Sequence, residues 1–151
     1  MQTKGPCPRP SGRTLACAVT ALTLAIPAGA LAASKTYRGA VVDDPETSLK
    51  LRIAKEGGAR FFKAFTIRNL AVECEDGVEA RLRGARVRGR APLGDRGRFT
   101  TTGEGEDKML QLGGRVRARR ASGTLRLSGS VKVEGVRREC RSGEVRWSAT
   151  R

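Results

Sequence analysis

Histidine is absent from all 151 residues, and aromatic side chains make up only 4% of them. The first absence removes the commonest general base at neutral pH. It excludes a Ser-His-Asp triad, a Cys-His dyad and a histidine-ligated zinc site. The four cysteines include no C-x-x-C spacing, so no dithiol or thiolate metal motif is present. Ser122-Gly123 and Ser142-Gly143 stand outside any G-x-S-x-G elbow, and no P-loop or dinucleotide fingerprint opens a helix. Asp43, Asp44 and Glu46 lack the spacing and the glycine of a calcium loop and read as a solvated turn. No cofactor and no metal are expected. Acids are also scarce, with 15 Asp+Glu against 30 Lys+Arg.

Long apolar runs are missing too, and the one short run is informative. Lys4, Arg9 and Arg13 precede the apolar stretch Leu15–Ile26, and small residues follow from Pro27 to Ala33. This order is that of a secretory signal peptide. Ala30-Leu31-Ala32 fits the A-x-A cleavage pattern, which places cleavage after Ala32 or, alternatively, after Ala30. About a dozen apolar residues fall short of the ~20 needed to span a bilayer, so a retained anchor is disfavoured. Cys17 lies near the start of the apolar run, which argues against a lipoprotein. The expected organisation is therefore a cleaved signal peptide over 1–32 and a single domain over 33–151, secreted or associated with the cell envelope.

Cleavage would remove Cys7 and Cys17 and leave Cys74 and Cys140. In an oxidising compartment an isolated pair reads as one disulfide. It would close a loop of about 65 residues, for which chain entropy gives an upper figure of ~4 kcal/mol. Residues 1–32 carry three basic groups and no acids, so the remainder keeps 27 Lys+Arg against 15 Asp+Glu, a net of +12. A charge of that size attracts polyanions and anionic surfaces. Of the 27 basic residues 21 are arginine, which fits a compositional bias toward arginine equally well.

What the chain has in abundance is two-residue alternation. Leu49, Leu51 and Ile53 oppose Lys50, Arg52 and Ala54, and Gly57-Gly58 then marks a hairpin turn. Phe65 and Ile67 keep one parity while Leu70, Val72 and Cys74 keep the other, so a bulge or bend is expected near Asn69. Gly89 to Arg98 reads as a loop. Further on, Met109–Leu112, Arg115–Arg119, Thr124–Leu127, Ser130–Glu134 and Glu144–Thr150 read as short strands separated or bent by glycines. Val116 with Ala118, Leu125 with Leu127, Val131 with Val133, and Val145 with Trp147 and Ala149 are the expected inward faces. No helical period emerges. Short strands with glycine turns predict an all-β fold, an antiparallel meander forming a small sandwich or barrel.

Two arginine-rich runs are the candidate binding elements. Arg81, Arg83, Arg86, Arg88 and Arg90 form one, and Arg115, Arg117, Arg119 and Arg120 the other, with Arg81, Arg83, Arg86, Arg88, Arg115, Arg117 and Arg119 as the candidate anion-binding residues. Alternate arginines of a strand project to one side and can hold phosphates or sulfates, with steep salt dependence. The few aromatics are needed for the core, which leaves specific nucleic-acid recognition without stacking platforms. Trp147 itself reads as a core anchor, with stacking on a sugar at a barrel mouth as the alternative.

The spacing Tyr37-x-Gly39, Cys74, Gly97-Arg-Phe99, Ala121-Ser-Gly-Thr-Leu125 and Cys140-x-Ser-Gly143-x-Val-x-Trp147-x-Ala149 resembles uncharacterised small exported bacterial all-β proteins. The resemblance implies a signal peptide, an all-β domain and one disulfide, and brings no catalytic residues. Three functional expectations follow. The leading one is a non-enzymatic domain whose basic strand faces contact an anionic cell-envelope polymer or lipid headgroups. The second is a barrel carrying a small apolar ligand. The third is a hydrolase built on two carboxylates, which needs no histidine.

Overall fold

Alternating side chains become strands when each strand can bury one face, and here they do so for nearly the whole domain. The computed structural model describes residues 33–105 and 107–151; the expected signal peptide lies outside them. Ten strands follow in order: β1 Ala33–Val41, β2 Asp44–Glu56, β3 Ala59–Arg68, β4 Leu70–Cys74, β5 Glu79–Leu82, β6 Ala85–Pro92, β7 Arg98–Gly105, β8 Lys108–Val116, β9 Arg120–Val133 and β10 Val136–Thr150. The one helical element among the described residues is a 3-10 turn at Asp95–Gly97.

The strands form a single antiparallel sheet in the order β6-β3-β2-β1-β10-β9-β8-β7, nearly closed into a barrel. At the seam β6 and β7 pack without a ladder; a methyl group on Gly103 of β7 would overlap Val87 of β6. Sequence neighbours pair along much of the sheet, as a meander requires, with three exceptions, the first being that β3 pairs with β6, past β4 and β5. The first and last strands meet in mid-sheet, with Arg38 opposite Thr150. The short β4–β5 hairpin leaves the wall and adds to the early half of β10, where Cys140 lies opposite Cys74.

The parity conflict after β3 is resolved at Asn69, which adopts φ 59° between β3 and β4. Asparagine tolerates this left-handed conformation better than most residues. Its side chain donates to the Glu46 carbonyl at 3.2 Å, which fixes the bend. A second shift, at Lys63, lets both Phe62 and Phe65 face inward.

Several expectations about elements need correction. Ala33–Thr36, which the sequence suggests as a frayed start, is part of β1, and the expected turn over residues 43–47 shrinks to Val42-Asp43, with β2 beginning at Asp44. Residues 89–92 extend β6. Gly113-Gly114 lies within β8 rather than between two strands, and Arg117–Arg119 form the turn to β9, which leaves Ala118 exposed. Gly129 likewise lies within the 14-residue β9. The physical reason at Gly114 is space. A methyl group there would lie 2.7 Å from Cζ2 of Trp147 and 2.9 Å from the Ser122 carbonyl. On the facing strand a methyl group on Gly123 would fall on the Gly113 carbonyl and Gly114 Cα. These glycines mark close strand approach beneath a large ring, which sequence alone does not separate from a turn.

The interior is filled. Trp147, Tyr37, Phe62, Phe65, Leu51, Ile67, Leu70, Leu112, Leu125, Leu127 and Val116 are each buried to within 2% of full coverage. Trp147 packs against Phe65 and donates from Nε1 to the Thr124 carbonyl at 3.2 Å. Phe62 stacks on Phe99 across the seam, 5.5 Å between centroids. Tyr37 donates its hydroxyl to the Arg117 carbonyl at 3.1 Å, closing the β8–β9 turn from inside. Cys74 and Cys140 are joined by a disulfide spanning 66 residues.

Candidate anion-binding face

Register decides which arginines meet. On the outer side of β1, β2, β3 and β6, Arg38 lies opposite Lys50, Lys50 opposite Thr66, and Thr66 opposite Arg86. One step along, Arg52 lies opposite Ala64 and Ala64 opposite Arg88; one step back, Ser48 faces Arg68. Residues directly opposite in an antiparallel pair share a face, with Cβ atoms about 4.5–5.5 Å apart. Six cations from four strands are thereby gathered on one wall. Five of them, Arg38, Lys50, Arg52, Arg68 and Arg86, line a groove of about 460 Å3 whose floor carries Gly39, Ala64 and Thr66. Among the described residues no carboxylate lines it.

None of these six cations makes an ion pair among the described residues, whereas arginines elsewhere do. Arg126 pairs with Glu144 at 2.9 Å, Arg137 with Asp107 at 3.0 Å, and Arg138 with Asp76. Arg90 pairs with Glu56 and covers the Phe61 ring. An unpaired cation keeps its full attraction for an external anion, while a paired one has already spent part of it on its neighbour.

The two arginine runs are divided by the fold. Arg86 lines the groove, and Arg88 lies on the same wall opposite Ala64. Arg81 does neither: its guanidinium binds Asp44 at 3.1 Å, Glu46 at 3.3 Å and the Asn69 carbonyl at 3.0 Å. Asp44 also accepts from the buried Thr47 hydroxyl at 2.6 Å. That hydrogen bond, followed by Arg81, holds the Asp44 carboxyl below its ordinary value. Arg81 is thus a clasp between the β4–β5 hairpin and β2. Arg83 is exposed beyond β5 and outside the groove lining. Arg115 donates from Nε to the Arg96 carbonyl at 3.0 Å, and Arg117 and Arg119 are exposed in the β8–β9 turn. Arg38, Lys50, Arg52 and Arg68 are the residues the arginine runs did not point to. The outward parity of Lys50 and Arg52 was legible, but their nearness to β6 was not, because β4 and β5 intervene in sequence.

A second cleft, about 590 Å3, lies between the β4–β5 hairpin and the β10 bulge. Glu73 and Glu79, register partners, line it with Arg81, Arg141 and Ser142. Its charges are of both signs and its glutamates are exposed. Among the described residues no cluster of three or more potential metal ligands occurs, and no helix is long and apolar enough to cross a membrane. The latter and the disulfide are compatible with an extracellular protein. No protein-family model, curated protein or solved structure matches this chain.

Proposed function

We propose that this protein is an exported, non-enzymatic β domain that contacts anionic groups of the cell envelope through the outer face of β1, β2, β3 and β6. One observation carries the reading: among the described residues, five cations without ion-pair partners line a single groove that contains no carboxylate. Phosphates or sulfates displace condensed counterions when they meet such a surface, so binding weakens steeply as salt rises. Export rests on the N-terminal sequence pattern and agrees with the Cys74–Cys140 disulfide. The packed interior argues against a carrier, because an apolar guest would have to displace Trp147, Phe65 or Tyr37.

The test is binding of phosphatidylglycerol vesicles and of long-chain inorganic polyphosphate over a range of salt concentrations. Binding to at least one, weakened by salt and weakened further in Lys50→Gln/Arg52→Gln, is the expected outcome. Binding to neither, or binding indifferent to both salt and the substitutions, would refute it.

A further inference from the structure

The row through the groove does not stop at β1. Arg38 lies opposite Thr150 of β10, and Thr150 opposite Arg120 of β9. Arg120, Thr150, Arg38, Lys50, Thr66 and Arg86 therefore form one continuous line on six adjacent strands. All six side chains face outward; Thr66 is half-buried and the others are exposed. Four are cations, none of them ion-paired among the described residues, and the two threonines between them offer hydroxyl donors. The flanking positions, Thr36, Arg52, Ala64 and Arg88 on one side and Ser122, Ser148 and Arg68 on the other, contain no carboxylate either. With strands about 4.8 Å apart, the line extends roughly 24 Å.

From this line we infer that the ligand is a linear polyanion, such as a phosphodiester or polyphosphate chain, laid across the strands and wrapped around the barrel. The inference rests on the groove reading and extends it. Six of the eight strands on the barrel path carry the line, so it follows most of a convex perimeter. A flat bilayer touches only the few strands turned toward it, and a single phosphate engages only one or two cations. A flexible chain can follow the curve and reach Arg120 and Arg86 together.

The experiment measures affinity for long-chain polyphosphate, pyrophosphate and phosphatidylglycerol vesicles against salt, in the wild type, Lys50→Gln and Arg120→Gln. Urea unfolding serves as the folding control, since both positions are exposed. Four engaged cations give a log–log salt slope of roughly −3 for polyphosphate, and each substitution lowers its magnitude by about 0.7. Arg120→Gln is expected to leave pyrophosphate affinity unchanged. Polyphosphate binding that is weakened by Lys50→Gln but untouched by Arg120→Gln would overturn the wrapped chain and leave the groove standing. Vesicle binding that polyphosphate cannot displace would do the same in favour of a surface. If no probe bound, both readings would fall.

Discussion

The two walls of this barrel use the same residue types for different ends. In β7–β10 glycines are placed where strands must close over Trp147, as at Gly114 and Gly123, and outward arginines such as Arg126, Arg137 and Arg146 find acids. In β1, β2, β3 and β6 the inward positions are large, with Leu51, Ile53, Phe65 and Ile67, and the outward cations of the groove stand without acids among the described residues. Arg120 at the end of β9 apart, one wall is built for closure and the other leaves its charge available. Arginine density alone therefore says little about binding; its pairing state does.

If that division is right, substitutions on the closure side change stability, and substitutions on the cationic face change binding at constant stability. The largest effect is expected from Trp147→Ala, about 3–5 kcal/mol of unfolding free energy by urea titration, because the ring is buried against Phe65 and holds the Thr124 carbonyl. Cys140→Ser follows at about 2–4 kcal/mol, since it frees the β4–β5 hairpin and the 66-residue loop. An unchanged midpoint would mean that the hairpin is held by its other contacts. Gly123→Ala is next, at about 1–3 kcal/mol, because the methyl group meets backbone that cannot rotate away.

A smaller effect concerns pH. Folding lowers the Asp44 pKa, through Thr47 first and Arg81 after it. Its contribution to stability is complete above the unfolded carboxylate range and is lost as pH falls through the lower folded value. Unfolding monitored between neutral pH and strong acid should show that loss in the wild type and less of it in Thr47→Val. Smallest of all is the stability effect of Lys50→Gln, expected within about 0.5 kcal/mol as for exposed positions generally. A larger loss would show that the cationic wall also serves the fold.

Much of the architecture was legible in the chain. Alternation over Leu49–Ile53 and Val145–Ala149 gave strands with the right faces, the pair Cys74 and Cys140 gave the disulfide, and the parity conflict located the bend at Asn69. Sandwich against barrel was open because it depends on β1 joining β10 within one sheet and on β6 packing against β7 at the seam, neither of which has a local signature. Glycine carried two meanings, turn at Gly57-Gly58 and close approach at Gly114, and only the ring of Trp147 above the second distinguishes them. The candidate site was half legible. Arg86 and Arg88 stood in a visible run, but Arg38, Lys50, Arg52 and Arg68 join them only through register. Arg81 left the set because Asp44, 37 residues away, folds onto it.

The most direct test removes the same charge from each wall. Arg38→Gln/Lys50→Gln/Arg86→Gln and Arg126→Gln/Arg137→Gln/Arg146→Gln both lower the net charge by three, and their polyphosphate affinities can be compared across salt concentrations. The first variant should lose about two from the magnitude of the log–log salt slope while the second keeps a near wild-type slope. Equal losses in the two variants would mean that net charge alone governs binding, contradicting a dedicated face.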